Sequence, residues 1–398
     1  MIRSLKVQLG HNSETTYRPL AEVAPLARRE VTIDPEASYT ELGVRSFHKG
    51  TFHRRTLKGA EFTWQGLYRI NQNDLVFSNI MAWEGAVAIA KPENDGCIGN
   101  HRMLTCACDP DLINPAFLAH YFKTPEGMVK LVGASTGTVA RNRTLTATSL
   151  AKIMVPVPAL SIQDRIVQHL GMLNEKTREL EAHLDAVERD AEHLLALRFR
   201  DAIANAPLRT MAEVAPLVRR DVSIAPDVMY TELGVRSFFK GTFQRRTVSG
   251  ADFSWQALYR IRTGDLIFSN IMAWEQAIAI AKSEDDGCVG NHRMLACEAN
   301  PDCTVPGFLW YYFTTSDGFE KIYAASPGTA ARNRTMTAPA LMAIEVPTPS
   351  LATQQTFDRL QAEVAALKAK HTAIRAANAA LLPATLERIF QSSEASHA

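Results

Sequence analysis

Tyr39 opens the segment YTELGVRSFHKGTFHRRT, and 191 positions later Tyr230 opens YTELGVRSFFKGTFQRRT. The same shift carries Trp64 to Trp255, SNIMAWE at 78 to 269, GNHRML at 99 to 290 and ARNRT at 140 to 331. No insertion or deletion is needed between Ala21 and Pro158, and over 39–104 about three quarters of the positions are identical. A unit this long is a duplicated domain, since solenoid repeats run to only about 20–50 residues. What one copy binds, the other is equipped to bind.

Within a copy, residues 39–106 read as strand-rich. Leu75–Phe77 and Ala86–Ala90 are short apolar runs bounded by Asn, Asp, Gly and Pro. Asn114-Pro115 reads as a helix start, because Asn caps and Pro fits a first turn. Val155-Pro156-Val157-Pro158 closes the copy in an extended segment. The following stretch places Ile166, Leu170, Leu173, Thr177, Leu180, Leu184, Val187, Ala191 and Leu194 at alternating steps of four and three, a coiled-coil seam. The second copy ends likewise with Phe357, Leu360, Val364, Leu367, His371, Ile374, Asn378 and Leu381, and Pro383 is expected to kink or stop that helix.

The boundaries expected are an N-terminal extension (1–18), a first domain (19–160), a central helix (161–206), a second domain (207–351), a C-terminal helix (352–392) and a disordered tail (393–398). The class expected is α+β, with two similar mixed α/β domains separated by long helices packed as an antiparallel coiled coil with a pseudo-twofold axis. A helix of ~40 residues spans about 60 Å. Two equal surfaces mounted on such helices suit a target with two inverted halves and a gap, and duplex DNA has that symmetry.

The polar and aromatic residues shared by the copies are the binding candidates. Arg45, Lys49, Arg54, Arg55 and Arg69 interleave with Phe47, Phe52, Trp64 and Tyr68; Arg236, Lys240, Arg245 and Arg246 repeat the charges. Asn79, Trp83, Asn100, His101 and Arg102 follow, with Asn270, Trp274, Asn291, His292 and Arg293 in the second copy. Arg141, Asn142 and Arg143, and their counterparts Arg332, Asn333 and Arg334, form a second cluster. Arginine forks suit guanine O6/N7, asparagine suits adenine N6/N7, and Lys or further Arg hold phosphates. The alternative for each cluster is a solvated strand face or an Arg-rich surface turn.

Charge and cysteine usage bound the other readings. Lys+Arg 43 against Asp+Glu 42 leaves a net charge of +1, so any nucleic-acid role rests on local clustering. No apolar run approaches a membrane span, and the first 18 residues hold no apolar core of signal-peptide length, so a cytoplasmic protein is expected. Of the six cysteines none forms a CxxC pair; no metal site is expected, and the thiols read as small buried hydrophobes. Asn114-Pro115-Ala116-Phe117 resembles an adenine methyltransferase motif, but helix capping accounts for it, and no Gly-rich cofactor loop precedes it. No acidic nuclease triad, phosphate loop or HExxH is present.

The layout resembles the specificity subunit of type I restriction–modification systems. The resemblance rests on the duplicated plan, the junction VPVPALSIQDRIV (155–167) with its counterpart VPTPSLATQQTF (346–357), the stretch ASTGTVARNRTLTATSLAKI (134–153), and the helix ends LLALRFRDAI and LLPATLERIF. It implies a non-catalytic subunit with two target-recognition domains, each reading one half of a bipartite site, and helices that serve as spacer and docking surface. It implies as partners double-stranded DNA and two modification subunits that carry S-adenosylmethionine and methylate adenine, with restriction subunits optional. This chain would then hold no cofactor and would join the nucleoid when bound to DNA. Near-identical copies point to a near-palindromic interrupted target. The alternatives are a pseudo-symmetric protein-binding adaptor and an autonomous DNA enzyme.

Overall fold

The computed structural model describes residues 15–62, 66–137, 143–253, 257–328 and 334–390. They form two units, one of 15–183 and 372–390, the other of 184–371. Each unit holds one module of strands and short helices, the start of the long helix that comes after it, and the end of the other long helix. The long helices are Leu160–Ile203 and Leu351–Phe390. The class is α+β.

In the first unit, the strand Thr16–Pro19 pairs antiparallel with Met154–Val157 and clasps the two ends of the module together. That strand begins inside the stretch read from sequence as an extension. A four-stranded sheet is ordered Thr51–Lys58, Ser38–Val44, Ile98–Gly99, Tyr68–Arg69, and a three-stranded sheet is ordered Val87–Ile89, Leu75–Ser78, Met103–Cys106. The second unit repeats this plan and adds Asp221–Val222 at the edge of its larger sheet. The strand Leu75–Ser78 is buried on both faces, so it reads as a continuous apolar run rather than an alternating one.

Asn114 caps the helix Pro115–Tyr121 by accepting from the Ala116 amide, as its sequence suggests. Behind that helix lies the core, where Phe77, Phe117, Tyr121 and Phe122 are fully buried. Ion pairs anchor the sheets beneath. Arg29 grips the buried Asp74 with two bonds of 2.6 and 3.1 Å, and Arg220 grips Asp265 at 2.6 and 3.0 Å.

A buried glutamine ties each module to its long helix. Gln163, fully buried, accepts from the Asn114 amide at 2.8 Å and donates to the carbonyls of Leu112 and Pro158. Gln354 does the same with the Val305 amide and the carbonyls of Cys303 and Pro349. A buried amide with its bonds satisfied fixes geometry, because leaving any of them unmade costs desolvation energy.

In the second unit the paired helices run antiparallel. Phe199 meets Phe357, Glu192 meets Lys368 and Glu188 meets His371, so one number falls as the other rises. In the first unit Ile166 and Leu170 share a core with Leu386, Ile389 and Phe390. The seam departs from its sequence reading in places: Leu180, Leu194, Ile374 and Leu381 are all exposed. Leu195 is buried in place of Leu194, as expected when a strict 3.5-residue repeat drifts across a straight helix of 3.6 residues per turn. Nor does the second helix stop at Pro383; it continues to Phe390. Aromatic burial in its last turn offsets the proline's missing bond. The Phe390 ring packs 5.3 Å from Phe117 and 5.8 Å from Tyr121, and a buried Phe stabilises by roughly 1.5–3 kcal/mol. The tail, 393–398, lies outside the described residues.

Candidate nucleic-acid interface

The site begins with a defect in a strand pair. Strands Ser38–Val44 and Thr51–Lys58 form a long hairpin whose register pairs Glu41 with Arg55 but Leu42 with His53. Arg54 is therefore the extra residue of a β-bulge. Successive strand residues ordinarily face opposite sides, and a bulge re-aims a side chain. Arg55 reaches back to the buried Glu41 carboxylate, Nε to Oε2 at 2.7 Å, and Arg54 lines the pocket that Glu41 also borders. The second hairpin has the same bulge at Arg245 and the same pair, Arg246 to Glu232 at 2.7 Å.

The pocket so formed has a volume of about 370 Å³ in the first unit and about 320 Å³ in the second. Arg54, Asn100 and Arg102 give the first its polar wall; Arg245, Asn291 and Arg293 give the second the same wall. Both walls include an exposed apolar side chain, Ile80 or Ile271. Gly43 and Gly234 are required on the hairpin: a Cβ at either would lie 2.5 Å from the ring of Phe52 or Phe243. Asn100 Oδ1 accepts from the Arg102 amide at 2.9 Å, which fixes the side chain and leaves its amide group to donate. Asn291 makes the same bond to Arg293.

Glu41 and Arg55 neutralise one another, whereas Arg54 and Arg102 have no carboxylate partner among the described residues. Each pocket is thus net cationic, with planar donors aimed into a recess. Such a site suits an anionic, hydrogen-bond-accepting surface.

The rim is the turn closing each hairpin. Arg45 stacks its guanidinium 4.6 Å from the Phe52 ring and donates to the Thr51 carbonyl; Arg236 does likewise at 4.7 Å on Phe243. At the tip Phe47 and His48 both have left-handed backbones, φ 58° and 54°, as do Phe238 and Phe239 at 60° and 54°. For side chains other than glycine each such residue costs on the order of 1–2 kcal/mol. The turn is held by the segment beside it: the Phe47 amide donates to Glu84 O at 2.8 Å and the His48 amide to Gly85 O at 3.0 Å. Lys49 and Lys240 lie over the tip rings at 5.8 and 5.7 Å.

Other sequence candidates have structural occupations. The Asn79 amide donates to Arg102 O, its carbonyl accepts from Leu145, and its buried Oδ1 has no partner; Asn270 repeats the arrangement with Arg293 and Met336. Trp83 and Trp274 donate their indole N–H to the carbonyls of Ile80 and Ile271 at 2.9 Å. His101 and His292 are exposed on the turn but line neither pocket. Arg334 is turned back onto the carbonyls of Tyr323 and Ser326 and stacks 3.8 Å over Tyr323, while Arg143 is half-buried. Arg141, Asn142, Arg332, Asn333 and Trp64 lie outside the described residues.

Burial pushes Cys106, Cys108 and Cys297 up to about 12, so they remain protonated. Among the described residues there is no group of three or more His, Cys, Asp or Glu able to hold a metal, and no helix is long and apolar enough to cross a membrane.

Sequence reasoning missed Glu41, Gly43 and Ile80 with their counterparts, because nothing in the local sequence marks the bulge that gathers them. Their identity between copies was the available signal.

No protein-family model matches the chain, and no curated protein sequence matches it. Solved structures do. The HsdS subunit from Thermoanaerobacter tengcongensis superposes with a TM-score of 0.66 at 18% identity, covering 95% of this chain and 97% of that one. A chain from a study of complex assembly and conformational transition of the type I R-M system gives a TM-score of 0.67 at 18% identity, covering 96% and 98%. At that identity the likeness establishes the fold: this chain has the fold of the HsdS subunit over nearly its whole length.

Proposed function

We propose that this chain is the non-catalytic DNA-recognition subunit of a type I restriction–modification assembly. Each unit reads one half of a bipartite, interrupted site, and the chain delivers partner adenine-N6 methyltransferase subunits, two per chain, to that site. Restriction subunits are optional further partners. The observation that carries this reading is the repeated pocket with two uncompensated guanidiniums and an oriented asparagine. Arg54, Asn100 and Arg102, with Arg245, Asn291 and Arg293, are the base-reading candidates; Lys49 and Lys240 at the rims hold phosphates. Because the two pockets differ in one side-chain type, Ile98 against Val289, the two words read are near-identical and the target is near-palindromic. The full-length fold likeness to HsdS supports the same assignment.

The test is duplex binding by the full chain, co-expressed with its modification subunit, titrated across salt. Neutralising several phosphates makes affinity fall steeply and linearly in log–log form. A flat salt response, or retention of a protein partner with no duplex binding, would instead support an adaptor.

A further inference from the structure

We propose that Phe47 and Phe238 are wedges, each inserted at a base step in one half of the bound duplex and unstacking it. This rests on the DNA-reading function proposed above and adds a mechanical step to it.

The two rings are the most exposed aromatics among the described residues, 67% and 63% accessible. Neither contributes to a core, and neither is needed for the turn. A two-residue turn with both central residues left-handed favours Asn-Gly, yet both copies keep Phe at the first of these positions. The second position changes between the copies, His48 in one and Phe239 in the other. Strain kept for a side chain that is largely exposed and joins no core points to use outside the fold.

The tip is also held rigidly. In the second copy the Phe238 amide donates to Glu275 O and the Phe239 amide to Gln276 O, both at 2.9 Å, matching the bonds of Phe47 and His48. A ring on a fixed mount can be driven between bases without first ordering its own backbone. Its surroundings choose the occupant. Lys49 or Lys240 lies over the ring, Arg45 or Arg236 stands at the turn's base on the ring that borders the pocket, and no carboxylate pairs with any of the four among the described residues. An apolar plane flanked by cations suits a base step between phosphates; architectural proteins place Phe, Leu or Ile at such steps.

The experiment uses the full chain with its modification subunit and a duplex carrying the sequence that the assembly methylates. 2-Aminopurine replaces bases singly across both halves. One position in each half should brighten on binding. Phe47→Ala should abolish the rise in one half only, Phe238→Ala in the other, each weakening binding about tenfold, the scale of one base–aromatic stack. Phe47→Leu, still an apolar wedge, should keep the rise. Salt-dependent binding with no brightened position, or a rise unchanged by both alanines, overturns the wedge and leaves the DNA-reading function standing. Absence of salt-dependent duplex binding overturns both. Alanine variants that lose only a protein partner would assign the tips to that partner and overturn the wedge.

Discussion

Behind the hairpin turn the first unit half-buries His48 and His120 where the second half-buries Phe239 and Tyr311, with Trp310 edge-on to Phe239. In front of the turn, Ile98 against Val289 is the one change of residue type between the pockets. The copies have therefore been free to exchange polar for aromatic packing in the interior while their recesses stayed fixed. A core accepts such exchanges when volume is kept, whereas a surface that must match a partner does not. Even the substitution at the bulge keeps its bond: His53 contacts the Glu93 carbonyl and Gln244 the equivalent Glu284 carbonyl. The pockets behave as one site written twice, the interiors as two solutions to one packing problem.

The sharpest way to break that equivalence is to disarm one pocket at a time. Arg54→Ala with Arg102→Ala should cost at least about 30-fold in affinity for the cognate duplex, as two charged base or phosphate contacts of ~1–3 kcal/mol each would. Arg245→Ala with Arg293→Ala should cost the same, both read by fluorescence anisotropy. Unequal losses would show that the copies do different work. Next in size, Gln163→Leu and Gln354→Leu each strand several buried partners and should destabilise their own unit by about 3 kcal/mol in chemical unfolding.

The interiors should part company with pH. Burial, helped by the charge of Lys123, lowers His48 and His120 from 6.5 to about 4. Above pH 6.5 neither the folded nor the unfolded chain protonates them. Between pH 6.5 and 4 the unfolded chain takes up protons that the folded first unit refuses, and stability is lost; below pH 4 the loss levels off. Hydrogen exchange should show the first unit loosening by on the order of 1–2 kcal/mol at pH 4.5, with no such contribution from positions 239 and 311. His48→Phe with His120→Tyr should remove the difference. The smallest effect belongs to Gln276, left-handed at φ 65° where the first copy has Gly85. Gln276→Gly should raise the melting point of the second unit alone, by about 1 kcal/mol of stability.

Much of this architecture was legible in the chain. The repeat, the Asn114 cap, the strand at Leu75 and both long helices come from spacing and capping chemistry that act over a few residues. The site was half legible. Arg54 and Arg55 look alike in sequence, yet the bulge sends one to the pocket and turns the other onto Glu41. Asn79 looked like a base reader because it is polar and repeated, and its repetition reflects a junction of three chain segments. The left-handed pair at Phe47 was hidden because neither residue type advertises that backbone. Pro383 misled because local propensity was overridden by the burial of Leu386 and Phe390 beyond it.

If both units read the same word in DNA on behalf of a partner's active site, the methylation pattern must carry that word twice. Methylome sequencing of a host expressing this chain with its modification subunit reads the pattern out. Methylated adenines are expected in a two-part motif whose halves are the same short sequence, inverted, across a fixed gap. A motif with two unrelated halves, or no new methylation, would contradict the equivalence of the two units.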